Sequence, residues 1–222
     1  MSDRRFKHGR RSESGAVLLE VTASILTFFV LIFGIIEFSY VFYQWNSATK
    51  ATERGARIAA VSSPVAWNLT TLTGLEPGNN LPGSTMPAFD CTCEGTGQCR
   101  GTVPSGAAAC TWDPVNSLSA MNTIVLGRGN DGTNCVKGSN GGMCQFFSSL
   151  KRENVVIRYQ YTGMGYAGRI AGPIPTITVS LQNVKYEFAF LNALANLTEV
   201  RFPVSATSTV TGEDLKATWS SS

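Results

Sequence analysis

An apolar run near the N-terminus, from Ala16 to Ile36, limits most strongly what this chain can fold into. Glu20 is the one charged residue within it. As a helix this run is about 31 Å long at roughly 1.5 Å per residue, and the hydrocarbon core of a bilayer is about 30 Å thick. A core helix of a soluble protein is the alternative, but such helices usually keep a polar face. The run therefore predicts a transmembrane helix.

The positive charge of the chain is concentrated in a short leader before this run. The 222 residues carry a net charge of +3. Residues 1–14 hold five basic and two acidic side chains, so the remainder of the chain is neutral. Because basic residues flank the cytoplasmic end of a transmembrane helix, we expect a cytoplasmic N-terminus and an outer C-terminal region. A protein built around nucleic acid would carry more basic charge, so we expect no nucleic-acid partner.

A glycine and an acidic residue mark the start of the apolar run. Gly15 separates the leader from Ala16, and Glu20 is the fifth residue after the glycine. A cleavable secretory signal is the alternative, but its apolar core is only about 7–15 residues and ends at a small-residue cleavage site. The pattern RRSESG|AVLLE instead resembles the type IV prepilin signature, in which a dedicated peptidase cuts after the glycine and the helix is retained. We therefore expect processing between Gly15 and Ala16.

Glu20 and Glu37 are candidates for pairing between helices. A charged side chain inside hydrocarbon costs about 2.5–3.5 kcal/mol on insertion scales, which makes Glu20 worth explaining. We interpret it as the partner of a neighbouring subunit's freed α-amine; an interfacial residue without a role is the alternative. Glu37 ends the fully apolar part, and there the simpler interpretation is a marker of the outer interface. The two residues face about 100° apart around the helix, so we expect no single partner helix to satisfy both.

The helical pattern continues beyond the apolar run. Small or apolar residues recur at helical spacing from Ala48 to Ala59, with Gly55 among them. A second stripe is basic: Lys50, Arg54 and Arg57. Pro64 disfavours helix at the residue before it, which predicts a helical stem over 46–63. Because small residues let another backbone approach closely, the partner of this stripe is either the chain's own head or a neighbouring stem.

These features together resemble the TadE/TadG-like pilus-assembly proteins of tight-adherence (Flp) pili. In that family a basic leader and a G-A-x-x-x-E start precede an apolar run ending in G-x-x-E-F, and a stem with an A-x-x-x-G/A-A-R-x-A pattern follows. The matching residues here are Gly15, Ala16, Glu20, Gly34, Glu37, Phe38, Ala51, Gly55, Ala56, Arg57 and Ala59. The last strand of the family, A-T-x-T-x-x-x-E, corresponds to Ala206–Glu213.

The resemblance implies a single-pass pseudopilin or assembly protein of a type IV-like pilus in the bacterial inner membrane, with roles in secretion and cell adhesion. The implied partners are a prepilin peptidase, inner-membrane platform proteins, other pseudopilins or pilin, and the lipid bilayer. An uncleaved, membrane-anchored periplasmic binding or scaffold protein of the same system is the alternative. We expect no catalysis, cofactor, metal or small-molecule substrate. The one His lies in the leader, and the sequence has no hydrolase or nucleotide-binding motif.

Six cysteines lie in one window of the outer region: Cys91, Cys93, Cys99, Cys110, Cys135 and Cys144. An even number of cysteines in an oxidising compartment predicts up to three disulfides, with the connectivity left open. Because C-x-C is too short for an easy internal bridge, we expect Cys91 and Cys93 to have different partners. Zinc is disfavoured by the lack of His and of C-x₂-C knuckles, and a thioredoxin-like site by the lack of C-x-x-C.

The outer region is predicted to form a small head. Apolar spacing predicts a helix over 113–126, capped by Asp113 and with Pro114 at its first helical position. Alternating residues predict strands over 154–161, 176–188 and 200–210. The second strand has a register slip near Asn183, and Pro203 places the third strand at an edge or at its start. Residues 188–197 are predicted to form a short helix or a loop that packs on the stem.

The predicted fold class is therefore α+β. A long N-terminal transmembrane and stem helix precedes a small disulfide-bearing head with an antiparallel sheet, as in pilins. The predicted divisions are a leader at 1–15, a transmembrane helix at 16–45, the stem at 46–63 and a periplasmic head at 64–222. The head includes a Cys-rich insert at 91–144.

Overall fold

A computed structural model describes residues 13–76, 80–107, 110–170, 172–184, 188 and 206–212. Two compact units are present. The first contains the N-terminal helix up to Phe42, and the second contains the rest of that helix, from Tyr43, together with the head. The leader before residue 13 lies outside the described residues. The same holds for residues 189–205, which include the predicted short helix or loop and Pro203.

The N-terminal helix, α1, runs without interruption from Glu13 to Ala60 and confirms the predicted long helix. Asn46 and Ser47, which could have broken it, are helical. The helix ends in a tighter turn, where the Val61 N–H donates to the Ile58 carbonyl at 3.2 Å. A hydrogen bond between residues three apart gives a partner to a carbonyl that has none within the α-helix. Pro64 follows three residues later and prevents continuation.

The first part of α1 exposes large apolar side chains in nearly every direction. Leu18 and Leu19 are 70% and 72% exposed. The large apolar residues that follow to Ile36 are also exposed, except Ile32, which is half-buried. Their polar neighbours are satisfied within the helix, because the hydroxyls of Thr22, Ser24 and Thr27 donate to the carbonyls four residues earlier at 2.7–2.9 Å. Within the described part of the chain, this is the one helix long and apolar enough to cross a membrane. Internal satisfaction of polar groups is what a lipid environment requires.

The head is built on one five-stranded antiparallel sheet, which confirms the predicted α+β class. The strands are β1 (Asp90–Glu94), β2 (Gln98–Thr102), β3 (Val155–Gln160), β4 (Thr176–Leu181) and β5 (Thr207–Thr211), in the order β2-β1-β3-β4-β5. Every neighbouring pair is antiparallel. The described part of the head also contains one α-helix, α2 (Asn116–Leu126), and four short 3-10 helices, at Trp67–Thr71, Gly138–Asn140, Met143–Gln145 and Arg152–Asn154.

One face of the sheet carries the core of the head. Inward-facing residues alternate along the central strands, so that Tyr159 of β3 lies opposite Cys91 of β1 and Ile177 of β4. They join one hydrophobic cluster with residues of α2 and with the small residues of α1. The other face is polar and includes threonines such as Thr178 and Thr209, whose hydroxyls are 3.2 Å apart. This is the half-buried pattern expected of an antiparallel sheet.

Each of the three predicted strands contains an observed strand, but the bounds differ. The predicted strand 154–161 is β3. The predicted strand 176–188 is too long, since β4 ends at Leu181 and Asn183 has a positive φ of 52°. A left-handed residue interrupts the ladder, so the predicted slip near Asn183 marks the end of the strand. Within 200–210, β5 begins only at Thr207, and the residues from 200 to 205 lie outside the described part.

The helix α2 begins two residues after the proline that was expected to start it. The Asp113 carboxylate accepts hydrogen bonds from the backbone N–H groups of Val115 and Asn116, at 3.0 and 2.6 Å. Asp113 therefore caps this end as predicted, although Pro114 and Val115 form a turn before the helix. The bond from Asn116 is the main reason that the pKa of Asp113 is lowered from its usual value.

Candidate functional site

The expected processing junction lies near the start of α1. Gly15 and Ala16 are helical and exposed, and α1 begins two residues before the glycine. A Cβ atom placed on Gly15 has no atom within 4 Å. Packing among the described residues therefore does not require a glycine at this position. Any requirement for glycine here comes from outside those residues.

The two glutamates of the apolar region have different surroundings. Glu20 is exposed on the helix, and its backbone carbonyl accepts the Ser24 hydroxyl at 2.9 Å. Glu37 is only 5% exposed. Both residues lie on the uninterrupted helix α1, where their spacing corresponds to about 100° around the helix axis.

Gly55 lies where the stem part of α1 packs on the head. A Cβ atom on Gly55 would lie 2.6 Å from the sulfur of Met143 and 2.8 Å from its Cγ. Ala51, Ala56 and Ala59, on the same part of the helix, are buried. The small-residue stripe thus contacts the chain's own head, which is one of the two partners left open by the sequence.

All six cysteines form disulfides: Cys91–Cys110, Cys93–Cys99 and Cys135–Cys144. Cys91 and Cys93 have different partners, as predicted. Cys93 and Cys99 lie directly opposite each other in the β1–β2 pair. No cysteine is therefore a free thiol. Among the described residues, no group of three or more His, Cys, Asp or Glu side chains is placed to hold a metal ion.

Two ion pairs lie on the outer face of the sheet. The Arg158 guanidinium contacts both carboxylate oxygens of Asp90, with its Nε 2.8 Å from Oδ1, and this carboxylate raises the pKa of Arg158. Arg100 pairs with Glu94 on the neighbouring strands. These exposed pairs are satisfied across the sheet, and such pairs typically contribute only about 0–1 kcal/mol.

A pocket of about 280 Å³, which the sequence pattern does not predict, lies beside the end of α1. Its lining residues come from α1 and the residue after it, from the loop after α2 and from the loop closed by Cys135–Cys144: Arg54, Arg57, Ile58, Val61, Arg128, Ser139 and Asn140. The basic stripe on the stem, which contains Arg54 and Arg57, was the one sequence feature that pointed to this pocket. Spacing alone could not show that Arg128, far along the chain, joins Arg54 and Arg57.

The described fold thus combines two features, a helix that exposes apolar residues over much of its length and a disulfide-bonded α+β head. This combination suggests the class of membrane-anchored proteins. Residues 15–57 match the family model described as TadE-like protein. The matched segment is α1 from Gly15 almost to its end, so the N-terminal part of this chain is TadE-like, as the sequence resemblance predicted.

The head lies beyond this match. None of the curated proteins and none of the solved structures matches the chain. The TadE-like match and the apolar helix fit a membrane protein associated with the Tad pilus. The TadE-like pilus-assembly family is not an enzyme family. The match also suggests that a protein of this kind interacts with other pilus components.

Proposed function

We propose that this chain is a pseudopilin or assembly protein of a tight-adherence pilus, cut by a prepilin peptidase after Gly15 and packed among other subunits by its N-terminal helix. The observation that carries the proposal is the TadE-like match at 15–57, which contains both Gly15 and Glu20. The exposed apolar side chains of the same segment support it, because they need either lipid or neighbouring helices around them.

The proposed arrangement follows the leader charge and the apolar run. Residues 1–15 form a cytoplasmic leader, 16–45 the transmembrane helix, 46–63 the stem and 64–222 a periplasmic head with its Cys-rich insert at 91–144. The peptidase, the inner-membrane platform and other pseudopilins or pilin are the partners. An oxidising periplasm is consistent with the three disulfides of the head.

The mass of the purified membrane form tests the processing step. A mature chain that begins at Ala16 is expected, and one that begins at Met1 contradicts cleavage. Gly15→Leu should leave the longer precursor because a bulky residue at the junction blocks the peptidase. Gly34→Leu is the matched control, since a Cβ atom at either glycine has nothing within 4 Å. If Gly15→Leu is processed normally, the glycine does not define the cleavage site.

The role of Glu20 is tested by assembly rather than by insertion. Glu20→Ala should still insert into the membrane but should reduce pilus formation, because the freed α-amine of a neighbour loses its carboxylate partner. Ser24→Ala is the control one turn away, where the hydroxyl bonds only within its own helix at 2.9 Å. Normal piliation by Glu20→Ala would refute the charge pairing while leaving the processing test untouched.

One observation favours the second candidate, an uncleaved anchored binding or scaffold protein. Because α1 begins at Glu13, the peptide bond after Gly15 lies inside a helix. Proteolysis is favoured in exposed, irregular segments, so cleavage here requires the first turns of α1 to open. A Met1 start together with normal pilus assembly would support this second function.

A further inference from the structure

We propose that a groove between α2 and the loop that follows it binds the backbone of an extended, uncharged segment of another protein. The groove has a volume of about 490 Å³. Val115, Leu118 and Asn122 line it on the side of α2, and Asn130 and Gly132 line it on the side of the loop. This inference goes beyond the proposed pilus function and holds whether or not the chain is cleaved.

The side chain of Asn122 is the polar centre of the groove. Only 9% of this residue is exposed, and its Oδ1 is buried without a hydrogen-bond partner in the part of the chain that the structure describes. Its Nδ2 lies towards the loop, because a Cβ atom on Gly132 would lie 3.6 Å from it. A buried polar atom without a partner is destabilising and rare in folded proteins. Packing of the chain on itself therefore does not account for an amide at this position.

The Asn122 amide can turn to meet a peptide group in the groove. The last torsion of an asparagine side chain has a broad energy minimum, and nothing among the described residues bonds to Oδ1 to restrain it. A peptide bond offers an N–H for Oδ1 and a carbonyl for Nδ2. Binding of a backbone amide would give the buried acceptor a partner, which favours a ligand with peptide groups.

The loop side of the groove is held in place by its own hydrogen bonds. The Val136 N–H donates to the Leu126 carbonyl at 2.8 Å and closes the loop. Within it, the Asn130 Nδ2 donates to the Gly127 carbonyl at 2.6 Å, and the Asn130 Oδ1 accepts the Gly132 N–H at 2.9 Å. This wall is therefore formed before any ligand arrives, which lowers the entropic cost of binding.

The groove is uncharged. Among the described residues that line it, none carries a charge. The carboxylate of the adjacent Asp131 is bound by its own loop, because its Oδ1 accepts the backbone N–H groups of Thr133 and Asn134 at 2.9 and 2.7 Å. A charged ligand would lose hydration here without gaining an ion pair. The groove therefore favours an uncharged ligand.

The apolar part of the groove favours a peptide over a sugar that carries an acetamido group. Val115 is 74% exposed, and Leu118, about one turn further along, is half-buried. A peptide carries side chains beside its backbone amides, so an apolar side chain can cover Val115 and Leu118 while the backbone reaches Asn122. Burial of that apolar surface adds to the binding free energy. The acetamido group of a sugar offers only one methyl group for the same wall.

A binding experiment on the full chain in neutral detergent tests the proposal. The probes are the blocked peptide acetyl-Ala-Val-Ala-methylamide, its analogue with ester oxygens in place of the amide N–H groups, and N-acetylglucosamine. Affinity is measured by nuclear magnetic resonance titration. We expect the peptide to bind more tightly than the ester analogue, and the sugar not to bind. Asn122→Leu should weaken peptide binding by about tenfold, the effect of losing one hydrogen bond. Val115→Ser, at an exposed position, should also weaken it.

Thermal unfolding separates a binding role of Asn122 from a structural one. Asn122→Leu removes the buried acceptor and keeps a side chain of similar shape, so this variant should unfold at the same temperature as the unsubstituted chain or at a higher one. A lower unfolding temperature would show that the amide stabilises the fold by itself, and it would overturn the proposal.

Gln98→Leu is the matched control, because Gln98 is exposed on β2 and does not line the groove. Equal weakening by Gln98→Leu would show that the peptide does not bind at the groove. Unchanged binding in Asn122→Leu, or equal binding of the peptide and its ester analogue, would also overturn the proposal. If N-acetylglucosamine binds and the peptide does not, the groove belongs to a glycan and the proposal is wrong.

Discussion

The two parts of α1 have the same backbone conformation but opposite patterns of burial. Before Ile36 the helix carries large apolar side chains that are exposed, with Leu18 at 70%. After Ala48 it carries small residues that are buried, and Ala51 and Ala59 are at 0%. The first stretch leaves its apolar surface exposed, and the second contributes to the hydrophobic core of the head.

The comparison shows that residue size, and not apolarity alone, distinguishes the two roles. Large side chains offer much surface to lipid or to neighbouring helices. Alanine and glycine let the backbone of the stem approach the loop around Met143. A perturbation of the head should therefore leave the first part of α1 helical, and a substitution that is harmless in one part should be damaging in the other.

Removal of the longest disulfide is expected to have the largest effect. Cys91→Ser together with Cys110→Ser should lower the free energy of unfolding of the head by about 3 kcal/mol, because the bridge closes a loop with a sequence separation of 19. Denaturant titration followed by near-ultraviolet circular dichroism measures this. The far-ultraviolet helix signal in detergent should persist after the head unfolds. Its loss in the same transition would contradict the claim that the first part of α1 stays helical without the head. Removal of Cys93–Cys99, with a separation of 6, should have a smaller effect.

Enlarging an alanine should distinguish the two parts of α1 directly. Ala51→Leu is expected to destabilise the head by about 1–3 kcal/mol, because overpacking displaces a closely packed core. Ala23→Leu makes the same change on the exposed part and should leave the stability of the head unchanged. The same denaturant titration measures both variants. Equal effects of the two substitutions would contradict the assignment of the stem to the core.

A single buried hydroxyl links the segment after α1 to the sheet. The Val65 N–H donates to the Tyr159 hydroxyl at 2.9 Å, and burial raises the pKa of Tyr159, which keeps its phenol neutral. Tyr159→Phe should cost about 1–2 kcal/mol because a buried N–H loses its partner. Thermal unfolding of the head measures the loss. Tyr166→Phe is the exposed control, and an equal loss there would contradict the role of burial.

The smallest expected effect is the contribution of Asp113 to acid stability. Its pKa in the folded chain lies below the usual 3.8 because the backbone of Asn116 hydrogen bonds to the carboxylate. The charged form therefore stabilises the fold fully above the unfolded pKa, and this contribution is lost as the pH falls through the folded value. Unfolding measured between neutral pH and about pH 3 should be less acid-dependent in Asp113→Asn. Identical pH profiles would show that the cap does not contribute.

Periodicity and composition were enough to predict the elements that depend on local pattern. The apolar run and the stem pattern predicted α1, and the alternating residues of 154–161 predicted β3. The short C-x-C spacing predicted that Cys91 and Cys93 have different partners. Each of these follows from residues close together in the sequence. The class of fold followed from the same patterns, because a helix followed by alternating strands has few ways to bury its apolar faces.

The parts that were missed depend on contacts between distant residues. The hairpin of β1 and β2 was not predicted, because its inward positions in β1 are cysteines and its surroundings are rich in Gly and Pro. Those cysteines are buried in the core like small apolar residues, and alternation at Cys91 and Cys93 was the signal. The arginine pocket needs the loop after α2 to meet the stem, and no sequence spacing carries that information.

The three bridges are also local along the chain. Cys93–Cys99 is nested within Cys91–Cys110, and Cys135–Cys144 stands apart, so each pair is complete before β3 begins at Val155. In a chain synthesised from its N-terminus, all the thiols are therefore present before the last three strands have been made. Oxidation of this head can accompany synthesis, and a newly made chain need not wait for its final residues to find the right sulfur partners.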